Sequence, residues 1–282
     1  MRPYQWLKNV LVFVPLAAAH RLANIDLLGA AACAFAAFSL CASSIYVFND
    51  LHDVAADRLH PRKRYRPIAS GALPRSIAVW LVPVLLAGAA VAGLHLGLRV
   101  TAILVGYVLL MVAYSLTFKR IVLLDAVVLA AGYALRVIVG SVAVGIRPSS
   151  QLLEFCMLIF FSLALVKRYA ELGLLRTRDG PATRARAYRL EDQGVILGLG
   201  TGSGILSILM LTQYVGASSA ENLYGRSELI LISSVLFLYW ISHMWLTAHR
   251  ARMTDDPLIF AIKDRVSRIL ILLIGLTSWL AM

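Results

Sequence analysis

Four oxygen-bearing side chains, Asn49, Asp50, Asp53 and Asp57, crowd into a short stretch at the end of a strongly apolar run, in a sequence with only 15 acidic residues in all. If that run stays helical, each residue turns by about 100°, so Asn49, Asp53 and Asp57 fall within roughly 80° on one face, with Asp50 at its edge. Carboxylates held this close repel one another unless a cation lies between them. Hard oxygen ligands suit Mg2+, which is commonly bridged to substrate phosphates. The basic run Arg62, Lys63, Arg64 and Arg66 follows closely, and metal ligands beside cations suit the gripping of a diphosphate. The plainer alternative is an acidic helix end solvated at a membrane surface.

The elements that must position this cluster are membrane spans. Of the 282 residues, 60% are hydrophobic and 15% charged, with a mean hydropathy of +0.78, whereas soluble domains average about 25% charged. Nine apolar stretches, roughly 6–20, 27–48, 76–96, 100–117, 121–144, 151–169, 192–216, 228–247 and 268–282, are candidate spans. The first and last are short for crossing. With a cytoplasmic N-terminus, the inner segments hold 22 of the 27 Lys and Arg, the outer connections only Arg21, Arg99, Arg147 and Arg226, and Arg136 lies within a span. This positive-inside bias turns the acidic cluster toward the cytoplasm. Strands cannot satisfy their backbone singly in lipid, so the expected fold is all-α, a polytopic membrane bundle of nine transmembrane helices in a single domain spanning 1–282.

The net charge of +12 is divided among membrane-edge loops instead of gathered on a soluble face, which argues against nucleic acid. Anionic lipid and phosphorylated small molecules are the expected partners. Cys33, Cys41 and Cys156 all fall within spans, so neither a disulfide framework nor a zinc site is expected. No cleavable signal peptide is expected either, the first span remaining in the mature chain. The stretch GLGTGSG at 198–204 lacks the following Lys and the preceding strand of a phosphate loop. The four-residue spacing of Gly198 with Gly202, and of Gly200 with Gly204, suits close helix packing instead.

Charged groups inside a bilayer normally face a cavity or a partner. Asp125 and Arg136 lie on one face of the fifth span to within about 20° on an ideal helix, with Tyr133 and Gly140 near the same stripe. They line a polar cavity or form ion pairs with another helix. Tyr114 and Lys119 end the fourth span, and Lys167, Arg168 and Glu171 end the sixth. Glu171 is suited to a second metal-ligand set or to a sugar hydroxyl. Gln5 and Asn9, at i and i+4 beside Trp6 and Lys8, suit a site wall, while His52 and His60 flank the acidic cluster either as an acid or base or, as is commoner for such histidines, as surface or supporting groups.

Three motifs, RPYQWLKN at 2–9, NDLHDVAADRLHPRKRYRPIASG at 49–71 and YSLTFK with Asp125 at 114–125, resemble the UbiA superfamily of intramembrane prenyltransferases. With KRYAEL at 167–172, they are similar to its decaprenyl-phosphate phosphoribosyltransferase branch. The resemblance implies nine transmembrane helices around a cytoplasm-facing cavity. It implies transfer of 5-phosphoribosyl from phosphoribosyl pyrophosphate to a polyprenyl phosphate, with Mg2+ as cofactor. Asn49, Asp50, Asp53 and Asp57 would hold metal and pyrophosphate, and Lys63, Arg64, Arg66, Lys167 and Arg168 the remaining phosphates. Gln5, Lys8, Asn9, Tyr114, Lys119, Asp125, Arg136 and Glu171 complete the expected substrate-binding set. One departure stands out: aromatic prenyltransferases of the superfamily carry a second DxxxD after the sixth helix, and residues 170–191 contain none. An aromatic polyprenyltransferase using a prenyl diphosphate is the competing expectation, and a homo-oligomeric state is left open.

Overall fold

The computed structural model describes residues 3–59, 63–176, 187–215, 228–253 and 256–281. Among these residues every regular element is a helix. In chain order, a 3-10 helix, Pro3–Phe13, runs into α1 (Val14–Ala18), followed by α2 (Ile25–His52), α3 (Val54–Leu59), α4 (Arg75–Leu96), α5 (Leu98–Leu116) and α6 (Leu124–Ala143). Then come α7 (Ser150–Arg176), α8 (Gln193–Val215), α9 (Glu228–His249), α10 (Pro257–Lys263) and α11 (Arg265–Leu280). Among the described residues seven helices are long and apolar enough to cross a membrane. They match the second to eighth expected spans; the first and last correspond to the shorter Gln5–Ala18 and Arg265–Leu280. A 3-10 helix rises about 2.0 Å per residue against 1.5 Å for an α-helix, so Pro3–Ala18 reaches about 30 Å despite its few residues.

The helices form two compact units, Met1–Leu116 with Leu135–Arg147, and Thr117–Ala134 with Pro148–Met282, so α6 contributes to both. In the first unit, the amino-terminal segment is fastened by polar contacts. Trp6 Nε1 donates to Ser43 Oγ at 3.0 Å, and Asn9 Nδ2 to Ser39 Oγ at 2.9 Å. Asn9 Oδ1 accepts from Arg136 Nε at 2.8 Å. The Arg136 guanidinium lies 4.7 Å from the Phe38 ring centroid and 5.4 Å from that of Tyr107, a cation–π setting that offsets part of its desolvation. One turn on, Gly140 leaves room for the Val12 carbonyl; a methyl there would collide with it.

Two of the glycines in the GLGTGSG stretch account for the packing of the second unit. A Cβ on Gly200 would strike the Trp245 ring, and one on Gly204 would crowd Ile241 and Ser162, whereas Gly198 and Gly202 face open space. The packing role therefore belongs to one of the two expected glycine pairs. Trp245 Nε1 donates to Ser162 Oγ at 3.0 Å, which in turn donates to the Gly200 carbonyl at 2.6 Å. Between α10 and α11, Asp264 accepts from His243 Nε2 of α9 at 3.0 Å and caps α11 through the Ser267 N–H at 2.7 Å.

Candidate functional site

The acidic cluster sits where α2 gives way to α3. Hydrogen bonding of the helical type continues through the joint, from Asp53 N to Asn49 O at 2.9 Å and from Asp57 N to Asp53 O at 2.8 Å. The side chains nevertheless divide differently from the expected stripe of Asn49, Asp53 and Asp57. Seven helical residues turn about 700°, within roughly 20° of two full turns, and it is Asp50 and Asp57 that converge, both on Arg66. Arg66 Nη1 donates to Asp57 Oδ2 at 2.6 Å and to Asp50 Oδ1 at 3.2 Å. Asp53, at the joint, turns to His52, 3.1 Å from its Nδ1.

Arg66 is delivered by a connection with its own supports. Ile68 and Ala69 are buried, and Ile68 joins Val47, Val54, Ala78 and Leu85 in an apolar cluster. Arg58 Nε donates to the Ala69 carbonyl at 3.1 Å, and Gly71, at φ +84°, takes a left-handed turn that a residue with a Cβ adopts with strain. Lys63 and Arg64 are exposed, and Arg64 Nη2 donates to the Tyr65 hydroxyl at 2.7 Å. His60 and Arg62 lie outside the described residues.

Among the described residues no group of three or more His, Cys, Asp or Glu side chains is drawn together around a metal position. The donor set nonetheless fits a hard divalent ion. Asp50 and Asp57 are 9% and 2% exposed, and the sequestered Asn49 Oδ1 has no hydrogen-bond partner among the described residues. Two buried carboxylates draw one guanidinium, Arg66, which stands in for a cation there, and the residue preceding Asp50 carries an unsatisfied amide oxygen.

A second polar cluster lies within the second unit. Arg168, 1% exposed, donates from Nε to Asp125 Oδ2 at 2.6 Å and from Nη1 to Glu171 Oε2 at 2.8 Å. Tyr188 donates to the other Asp125 oxygen, Oδ1, and accepts the Leu123 N–H at 2.9 Å. Burial, with the Asp125 carboxylate beside it, pushes the Tyr188 phenol well above its usual range and keeps it a donor. Nearby on α7, Lys167 Nζ lies 3.1 Å from Asp256 Oδ2. Tyr188 is absent from the expected site, although it is the only aromatic residue between Ala170 and Glu191. That isolation was the one signal for it.

The remaining expected residues take several positions. Asn9 and Arg136 are buried within the first unit and satisfy each other, and Gln5 Oε1 accepts from the Tyr46 hydroxyl at 3.3 Å. Lys8, Tyr114 and Lys119 are half-buried, the last two near the end of α5 and in the turn after it. Tyr133 stacks on Phe160, centroids 4.4 Å apart.

Among the described residues, seven helices long and apolar enough to cross a membrane, with an acidic cluster at the end of one of them, define an integral membrane protein. The profile of the UbiA prenyltransferase family matches residues 10–180, and the chain belongs to that family. It is 38% identical over 274 residues to the nodulation protein NoeC of Azorhizobium caulinodans, covering 96% of this chain and 88% of that protein. It is 40% identical over 191 residues to the decaprenyl-phosphate phosphoribosyltransferase of Mycobacterium tuberculosis, covering 65% of this chain and 62% of that enzyme. Against a UbiA homologue from Archaeoglobus fulgidus, solved with DMAPP and Mg2+, the TM-score is 0.70 over 98% of this chain and 96% of the other. At 14% identity that likeness is one of fold.

Proposed function

We propose that this protein transfers the 5-phosphoribosyl group of phosphoribosyl pyrophosphate to a polyprenyl phosphate, with the acidic cluster at the cytoplasmic ends of nine transmembrane helices and the N-terminus on the same side. The observation that carries the reading is the asymmetry between the two polar clusters. In the first, Asp50 and Asp57 form one carboxylate pair bridged by a partly exposed arginine. In the second, Asp125 is already closed off by Arg168 and Tyr188. One acidic cluster with many cations suits a highly anionic donor and an anionic lipid acceptor better than it suits ionisation of a prenyl diphosphate. The similarity to decaprenyl-phosphate phosphoribosyltransferases, over 65% of the chain, supports the same substrates.

Asn49, Asp50, Asp53 and Asp57 would hold Mg2+, which when bound supplies positive charge to the pyrophosphate leaving group. Within the first unit, Arg66, Lys63 and Arg64 grip the remaining phosphate oxygens. A phosphate oxygen of the lipid attacks C1 of the ribosyl group while the bond from C1 to the pyrophosphate oxygen breaks, and the electron pair leaves with pyrophosphate. No general base is needed, because the attacking phosphate is already ionised.

Membranes containing the protein, incubated with labelled phosphoribosyl pyrophosphate and polyprenyl phosphate, should yield a phosphoribosylated lipid by mass spectrometry. A prenylated product from prenyl diphosphate and an aromatic acceptor, with no labelled lipid, would overturn the assignment.

A further inference from the structure

Two arginine–carboxylate clusters in one chain invite comparison. Arg168 and Asp125 are sealed, their side chains 1% and 0% exposed, as suits a permanent structural pair. Arg66 differs, with 26% of its side chain exposed over Asp57 at 3% and Asp50 at 12%. Its contacts are not needed to hold its own connection. That connection is fastened by buried Ile68 and Ala69, by Arg58 Nε on the Ala69 carbonyl, and by the hydrogen bonds Ser70 N to Arg66 O at 2.8 Å and Leu73 N to Pro67 O at 2.8 Å. The guanidinium therefore neutralises two buried carboxylates, from a backbone that stays put if it lets go.

We propose that Arg66 is an exchangeable internal counter-ion: it occupies Asp50 and Asp57 until a divalent ion displaces it, and then turns to the diphosphate of the donor. Two cations cannot share the same carboxylate oxygens at low cost, so Arg66 opposes metal binding while no donor is present. A diphosphate offers the released guanidinium a bidentate partner and so removes that opposition. Metal and donor consequently bind with positive coupling, each raising the affinity of the other by the same factor. In their absence Arg66 keeps the buried carboxylates from repelling each other.

This rests on the metal-dependent transferase reading above, but its first test needs no donor. Mn2+ binding to the purified protein in nanodiscs, followed by electron paramagnetic resonance, should be about 10-fold tighter for Arg66→Gln than for the unsubstituted chain. Inorganic pyrophosphate, titrated at saturating Mn2+, should bind the same variant at least 5-fold more weakly. If Arg66 were only a staple, its loss would splay the carboxylates; Mn2+ affinity that is unchanged or lower overturns the proposal, as does unchanged pyrophosphate affinity. Should Arg66→Gln fail to fold, Arg66→Lys serves, since it keeps the charge and loses the fork. It should bind Mn2+ more tightly by a smaller factor, and equal or weaker binding is again fatal. If phosphoribosyl transfer is not found while the Mn2+ result holds, the substrate assignment fails and the counter-ion stands.

Discussion

Tyr188 and Asp125, 63 residues apart in sequence, are joined by a hydrogen bond from the phenol to Oδ1, and the same phenol oxygen accepts the backbone N–H of Leu123. Leu123 has φ +65°, the left-handed region, immediately before α6. The tyrosine thus ties the start of α8 to a strained turn at the start of α6. Tyr188→Phe keeps the ring and removes both bonds. It should lower stability by about 1–3 kcal/mol, read as an earlier thermal unfolding midpoint in detergent, and should raise the donor KM more than it lowers kcat.

Of the three cluster aspartates, Asp53 is the one whose replacement disturbs the fold least, because its side chain is 35% exposed, against 12% for Asp50 and 3% for Asp57, and its hydrogen-bonded partner His52 is exposed as well. Asp53→Ala should leave the melting temperature close to that of the parent while reducing phosphoribosyl transfer by at least about 100-fold, within the range of losses seen when a charge-stabilising group is removed. Substantial residual turnover would count against metal ligation at this position.

The glycines of the α8 stretch allow a paired test with opposite signs. Gly200→Ala drives a methyl into the Trp245 ring and should cost about 1–3 kcal/mol. Gly202→Ala meets nothing and gains helix propensity, so it should be neutral or stabilising by up to about 1 kcal/mol. Thermal unfolding of the two variants side by side settles the comparison.

Asp264 gives a pH-dependent test. Burial tends to raise its carboxyl, but hydrogen bonds from Ser267 and His243 outweigh this and hold it below its ordinary value. A depressed carboxylate contributes stability that is fully present above its unfolded pKa and is lost as pH falls through the folded one. Asp264→Ala should therefore be less stable than the parent at pH 7, by about 1 kcal/mol for a lost helix cap. The difference should shrink once the pH drops below about 4.

How much of this was legible in the sequence depends on the range of the interaction. Composition and charge bias gave the all-helical membrane class and the seven long spans, because a bilayer imposes length and polarity on each span separately. The acidic cluster was legible because its members share a few turns, yet the pairing of Asp50 with Asp57 was not. It depends on Arg66, whose side chain is placed by the packing of Ile68 and by Arg58. Asn9 read as a site wall from its polarity, and its burial against Ser39 and Arg136 rests on contacts across 30 and 127 residues that no local pattern encodes. Tyr188 was missed for the same reason.

The knot between Asn9 and Arg136 also sets an order of events at the ribosome. Its two halves are separated by 127 residues, and at about 5–20 residues per second the first emerges roughly 6–25 seconds before the second. Throughout that interval the newborn amino-terminal segment, with its asparagine still lacking the arginine, has no finished berth. Insertion machinery or a chaperone must shelter it until α6 arrives, so a nascent chain halted before that helix should be more open to proteolysis near its beginning than one halted after it.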